Sequence, residues 1–195
     1  MSASLLAACV FAFVASITPG PNNVMLAASG ATFGFRRTVP HVLGVFLGFM
    51  ALQAAVALGL GQVFAASATL QTALKWVGAA YLLWLAWKIG TAGRPAADPD
   101  ARPLSFLQAA AFQVANPKGW TFAIGVAAIA VDGTTSPAQA LAVAALVATI
   151  GLPCMAVWAG CGVAVGRWLT SDRALRAFNA AMGIACAASA ATIFL

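Results

Sequence analysis

Two short proline motifs contain most of the groups in this sequence that could bind a small molecule. The first motif consists of Thr18, Pro19, Gly20, Pro21, Asn22 and Asn23, and the second consists of Asn116, Pro117 and Lys118. Each proline lacks an amide donor and clashes with the preceding turn, so we predict that a helix opens at each motif. Opened peptide groups and asparagine amides supply both donors and acceptors. The alternative is a pair of kinked helices whose peptide groups are satisfied by neighbouring helices.

A helix that restarts after Pro21 would present free amides at its N-terminus, which suits a carboxylate. Lys118 stands near the centre of an apolar run, where a lysine costs about 2.5–3.5 kcal/mol on insertion scales and usually faces a cavity. We expect Lys118 to pair with a ligand carboxylate or with opened carbonyls. The alternative is a shifted segment that brings Lys118 to the membrane surface.

Three more polar side chains lie in apolar runs. Gln53 and Gln113 are predicted to line a binding path or to bond a neighbouring helix. His41 is the only histidine, and an ordinary pKa of about 6.5 makes it a candidate for proton relay. The alternative for His41 is a side chain at the membrane interface.

Absent residue types exclude several kinds of chemistry. The chain has no glutamate, and we place its four aspartates in loops: Asp98, Asp100, Asp132 and Asp172. The four cysteines lie in apolar runs without metal-ligand spacing, and no phosphate-binding loop holds ATP. We therefore expect no enzyme, no cofactor and no metal, and any transport must draw on a gradient of an ion or a substrate.

The elements that position these residues follow from composition. The chain has 63% hydrophobic and 7% charged residues and a mean hydropathy of +0.95, whereas a soluble domain has roughly a quarter charged residues. At about 20 residues per membrane span, the 195 residues fit six helices. The predicted fold is an all-α membrane protein with spans 4–32, 39–64, 69–89, 104–131, 138–165 and 175–195.

Basic residues predict the orientation. They follow the first, third and fifth spans, at Arg36, Arg37, Lys88, Arg94, Arg102, Arg167, Arg173 and Arg176. By the positive-inside rule these loops are cytoplasmic and both termini face outward. The net charge of +6 is explained by this pattern, so no nucleic-acid partner is expected. The N-terminal segment lacks a basic start, and we expect a retained helix, not a cleaved signal.

The two halves of the chain resemble each other. Pro19 and Pro117 are 98 residues apart, and each interrupts the first span of a set of three. A set of three spans must invert its orientation across the membrane. We therefore predict one integral-membrane domain, 1–195, made of repeat one (1–90), a cytoplasmic loop (91–103) and an inverted repeat two (104–195). Inverted repeats with broken helices in matching positions are typical of secondary transporters.

Several motifs along the whole chain resemble the LysE/RhtB family of amino-acid exporters. They are the two proline motifs, Gly34 to Arg37, Gly44 with Gly48, Gly78 to Leu82, and Trp84 to Ile89. The double asparagine and the tryptophan-rich segment are most similar to the cysteine/O-acetylserine exporter branch. The resemblance implies six helices, efflux from the cytoplasm, proton antiport and a substrate site at the proline motifs. Many relatives carry an acid where this chain has Asn22 or Phe49, which argues against basic substrates.

The resulting expectation is a secondary active exporter of small neutral amino acids or derivatives, of the cysteine/O-acetylserine or threonine/homoserine type. It would work by proton-coupled alternating access in the bacterial inner membrane. Its expected partners are the amino-acid substrate and the lipid bilayer, and a homodimer is compatible with the sequence. The alternatives are a non-transporting membrane scaffold, which needs no broken helices, and a passive channel, which shows no concentrative export.

Overall fold

The structure, a computed structural model, describes residues 2–93, 101–131 and 135–191. Within these residues all regular secondary structure is helical, which confirms the all-α prediction. The helices are α1 (Ala3–Ile17), α2 (Pro21–Phe33), α3 (Phe35–Ala55), a π-helical turn (Val56–Leu60), α4 (Gly61–Ala66), α5 (Ala68–Gly90), α6 (Phe106–Ala115), α7 (Pro117–Ala130), α8 (Pro137–Trp168) and α9 (Asp172–Ala191). Asp98, Asp100, Asp132 and Arg94 lie outside the described residues.

Three stretches of the described chain are apolar and long enough to cross a membrane: Phe35–Ala66, Pro137–Trp168 and Asp172–Ala191. A fourth is the pair α1 and α2, which bends by 49° at its break. The remaining two predicted spans correspond to α5 and to the pair α6 and α7. Length and composition alone do not assign them to the bilayer.

The helix ends follow local signals. Ser105 and Ser136 each form a capping box, with Gln108 and Gln139 respectively, so α6 and α8 begin where a hydroxyl satisfies an otherwise free amide. The last helix begins at Asp172, three residues before the predicted start. The aspartate thus lies in the first turn of α9 and not in a loop, where its charge favours the helix N-terminus.

Small residues allow the helices to pack backbone to backbone. An added side chain at Gly30 of α2 would collide with the carbonyl of Ala159 on α8, and one at Gly162 of α8 would collide with the carbonyl of Ala27. Gly44 makes the same kind of close approach from α3 to the backbone of Phe106 on α6. These close approaches hold α2 against α8 and α6 against α3. An interrupted helix of each half thus packs on a long helix of the other half.

Two glycines act by conformation. Gly34 has φ +80° and an open environment, so it forms the turn from α2 into α3 and does not extend the packing interface of Gly30. Gly59 has φ +112° inside the π-helical turn and kinks the apolar stretch Phe35–Ala66, which contains the predicted second span. The sequence analysis predicted that stretch as an uninterrupted span.

The outer surface is apolar along most of the described helices. Leu107, Trp168 and Ile184 are among its most exposed side chains, at 74%, 86% and 71%. Polar groups are instead found inside: Asn23, Gln53, Gln113 and Asn179 are buried. This inverted distribution is what a bilayer favours, because lipid solvates apolar side chains and polar groups must find partners within the protein.

Candidate functional site

Both predicted interruptions are present. The helix α1 ends at Ile17, and Thr18 and Gly20 have extended backbones before α2 starts at Pro21. In the second half, α6 ends at Ala115, and the extended Asn116 precedes α7, which starts at Pro117. In each case proline takes the first helical position, where its missing amide donor costs least.

Lys118 connects the second interruption to the first. Its Nζ donates hydrogen bonds to the carbonyl oxygens of Thr18, at 3.2 Å, and Pro19, at 3.1 Å. It also donates to the hydroxyl of Thr18 at 3.2 Å. These oxygens lie at the C-terminal end of α1, where the helix dipole favours a cation. The half-buried ammonium group is thus held by neutral oxygens, with no carboxylate in contact among the described residues.

Two other side chains satisfy the end of α1. Asn23 donates from Nδ2 to the carbonyls of Ser16 and Thr18, each at 2.8 Å. Trp158, from the middle of α8, donates from its indole nitrogen to the carbonyl of Ile17 at 3.1 Å. The sequence analysis did not identify Trp158, because only the tertiary packing of α8 against α1 brings it to the break.

Asn22 and Gln113 form a reciprocal amide pair between the two halves. Asn22 Nδ2 donates to Gln113 Oε1 at 2.9 Å, and Gln113 Nε2 donates back to Asn22 Oδ1 at 3.1 Å. Asn116 Nδ2 also donates to Gln113 Oε1, at 3.4 Å. The buried Oδ1 of Asn116 has no hydrogen-bond partner within the described structure, so it is an acceptor available to a ligand or to water.

A small cavity lies between the two interruptions, and we call it the central cavity. Six of the ten predicted substrate-binding residues line it: Gly20, Pro21, Asn22, Asn23, Asn116 and Lys118. Its volume is about 50 Å³, whereas ligand pockets measure roughly 300–1,000 Å³. In this conformation it has room for a few water molecules. Admission of an amino acid therefore requires the interruptions to separate.

Four predicted residues lie outside the lining of the central cavity. Thr18 and Pro19 take part through their hydrogen bonds with Lys118. Pro117 lines a separate cavity of about 260 Å³ beside α5. Gln53 is buried on α3, and its Nε2 has no hydrogen-bond partner within the described structure.

His41 is not among the residues that line the central cavity. Its side chain, 1% exposed, lines a cavity of about 550 Å³ between the C-terminal part of α2 and helices α3, α5 and α9. We call this the inner cavity. Neither ring nitrogen of His41 has a hydrogen-bond partner among the described residues, so no hydrogen bond joins it to the predicted substrate site.

Several known proteins are similar to this chain in sequence. Residues 13–193 match the family described as LysE type translocator. The "Cysteine/O-acetylserine efflux protein" of Escherichia coli (strain K12) is 32% identical over 167 residues, which cover 83% of this chain and 84% of that relative. The protein of the same description from Salmonella choleraesuis (strain SC-B67) is 44% identical over 96 residues.

The Salmonella match covers 48% of this chain and only 47% of that relative, so it spans about half the length of each. The Escherichia coli match and the family match together extend over both interruptions and most of the helices. No solved structure matches the chain. On these matches, the chain belongs to the LysE type translocator family.

Proposed function

We propose that this chain is a secondary active exporter of small neutral amino acids or their derivatives, working by proton-coupled alternating access. The observation that carries the proposal is the hydrogen bonding of Lys118, at the second interruption, to the oxygens of Thr18 and Pro19 at the first. The names of the relatives support a substrate of the cysteine/O-acetylserine type. Threonine or homoserine is the other substrate type that fits a small, neutral site.

The proposed substrate site is the central cavity and its rim. The contacts from Lys118 Nζ are 3.1–3.2 Å long, at the long end of the normal range, and they connect to neutral oxygens. A substrate carboxylate makes a stronger, charge-assisted bond with the same ammonium group. The substrate's amino group would then donate hydrogen bonds to the released carbonyl oxygens and to Asn116 Oδ1.

Replacement of the carbonyl oxygens by a substrate carboxylate at Lys118 would link substrate binding to a change in conformation. In this structure Lys118 holds the two interrupted helices together, and a bound carboxylate would withdraw it from the carbonyls of Thr18 and Pro19. The interruptions can then separate, because a ligand favours whichever state gives it additional contacts. We further propose six spans arranged as two inverted repeats, with α5 and the pair α6 and α7 as the remaining spans and both termini periplasmic in a bacterial inner membrane.

Counterflow in proteoliposomes tests the proposal. Vesicles loaded with unlabelled cysteine or O-acetylserine should accumulate labelled substrate transiently above the external level. A passive channel would equilibrate the label without overshoot, and a scaffold would move none. Either result would refute the proposed function.

Two variants test the site. Lys118→Ala and Pro19→Ala should each reduce counterflow at least tenfold while membrane insertion remains normal. Lys75→Ala is the matched control, since Lys75 belongs to α5 and lines the separate cavity beside Pro117. Normal counterflow in both site variants would show that the substrate does not bind at the interruptions.

A further inference from the structure

We infer that the inner cavity is a second binding site, at which a small carboxylate-bearing amino acid is held before it passes to the central cavity. The inference rests on the proposed function in its direction of transport, but the binding site itself is argued from the cavity alone. The proposed site lies at the C-terminal end of α2, whereas the first interruption lies at its N-terminal end.

The size of the inner cavity fits such a ligand. Its volume of about 550 Å³ lies in the range of small-molecule sites, while the central cavity has about 50 Å³. The inner cavity is thus large enough for an amino acid in the conformation observed, while contact with the ring nitrogens of His41, which have almost no exposed surface, requires the side chains over them to move. The two cavities are consecutive, because α2 contributes Asn23 to one and Ser29 to the other, about 9 Å apart along the helix axis.

His41 provides unused hydrogen-bonding capacity in the wall. Its imidazole is 1% exposed, and neither Nδ1 nor Nε2 has a hydrogen-bond partner within the described residues. The nearby hydroxyls are already engaged: Ser29 Oγ and Thr38 Oγ1 are 3.0 Å apart, and Thr38 donates to the carbonyl of Gly34. A neutral imidazole has one donor and one acceptor, which suits a molecule that offers both a carboxylate oxygen and an N–H or O–H group.

A second part of the lining is fixed by a buried amide. Asn179 of α9 donates from Nδ2 to the hydroxyl of Thr32 at 3.1 Å and to the carbonyl of Ala92 at 3.0 Å. These bonds tie α9 to α2 and to the segment that follows α5. The lining therefore combines these satisfied polar groups with one side chain, His41, that is unsatisfied.

Charge at the rim selects the class of ligand. Lys88 and Arg102 line the inner cavity, and the described lining contains no aspartate or glutamate. Such a rim attracts a carboxylate and repels a cationic side chain. We therefore expect zwitterions with neutral side chains, such as cysteine or O-acetylserine, and not lysine or arginine.

Equilibrium binding to a transport-deficient protein tests the inference. Lys118→Ala protein in lipid nanodiscs would be titrated with ³⁵S-labelled L-cysteine under reducing conditions, with unlabelled L-lysine as a competitor. In this background, His41→Phe removes both ring nitrogens while keeping an aromatic ring, and Lys88→Gln with Arg102→Gln neutralises the rim. Arg167→Gln is the matched control, because Arg167 is a basic residue at the end of α8 that does not line the inner cavity.

The expected result is saturable binding of cysteine to Lys118→Ala, weakened at least tenfold by His41→Phe and about fivefold by the rim variant. Arg167→Gln should bind as its parent does, and lysine should not compete. Loss of binding on Lys118→Ala alone, or unchanged binding in both cavity variants, would overturn the inference. The rim residues are exposed, so that variant remains informative where His41→Phe fails to fold. Counterflow by the wild type, measured in parallel, decides the proposed function independently.

Discussion

Gly20 is a residue of the first interruption at which the absence of a side chain leaves room for Lys118. A Cβ atom added there would lie 2.9 Å from both Cδ and Nζ of Lys118. The backbone of Gly20 is extended, with φ −176°, so any residue could adopt its conformation. The requirement for glycine at this position therefore arises from the space that Lys118 occupies.

We predict that Gly20→Ala lowers transport about tenfold while changing the melting temperature little. The added methyl group must displace the flexible end of Lys118 and so breaks its bonds to Thr18 and Pro19, but it strains no backbone. Counterflow and thermal unfolding of the same preparation provide the two measurements. Gly160→Ala is the control, because an added Cβ at Gly160 meets nothing within 4 Å. A Gly20→Ala protein with full activity would show that the position of Lys118 is not required.

A second residue-level prediction concerns the reciprocal amide pair. Gln113→Leu should destabilise the protein by about 1–3 kcal/mol, because Asn22 loses its partner while half-buried. A double-mutant cycle with Asn22→Leu, measured by unfolding in detergent, should show a coupling energy of at least 0.5 kcal/mol. Additive effects of the two substitutions would indicate that the pair does not join the halves energetically.

Only part of this site could be predicted from the residue types in the sequence. Proline and a lysine inside an apolar run are informative by themselves, because each has a large cost that a membrane helix must compensate. Gln113 and Trp158 have ordinary alternative roles in membrane helices. Their contacts with Asn22 and Ile17 depend on tertiary packing, which no local spacing specifies.

At the level of elements, the sequence predicted where helices begin and end to within a few residues. The predicted third span, 69–89, corresponds to Ala68–Gly90, and the predicted fifth, 138–165, to Pro137–Trp168. The π-helical turn at Val56–Leu60 was missed because its glycine, unlike proline, is compatible with an unbroken helix. The inner cavity was missed as well, since its lining comes from five helices and the segments beside them.

The contact of α2 with α8 is the element-level feature that most depends on small residues. We predict that Gly162→Val strongly lowers the yield of folded protein, because its side chain would overlap the backbone of Ala27 and push the two helices apart. Gly160→Val, two residues away on the same helix, has open space and should express normally. The measurement is monodispersity and thermal stability after extraction. Equal yields for both variants would mean that α2 and α8 do not approach so closely.

At the scale of the whole molecule, the basic residues predict the orientation in the membrane. They cluster after α2, α5 and α8, and the positive-inside rule predicts that those ends face the cytoplasm. In that orientation the inner cavity, which Lys88 and Arg102 line, would open toward the cytoplasm. An exporter needs its loading site on that side, so the orientation and the proposed direction of transport support each other.

Accessibility of single cysteines tests this orientation. In a background with Cys9, Cys154, Cys161 and Cys186 replaced by alanine, we predict that Ala66→Cys and Ala138→Cys react with a membrane-impermeant maleimide from the periplasmic side. Thr91→Cys and Thr170→Cys should react only after the inner membrane is opened. All four positions are exposed at helix ends, so differences in labelling report the side of the membrane and not burial.

The labelling of the single cysteines also tests whether the chain has six spans, because it shows whether α5 crosses the membrane. Ala66 and Thr91 flank α5, one of the helices that length and composition leave unassigned, so opposite labelling of these two positions would place α5 across the bilayer. Labelling of both from one side would leave α5 outside the membrane and remove the inverted repeat. The inner cavity would then face no defined compartment, and the direction of transport inferred from its basic rim would lose its support.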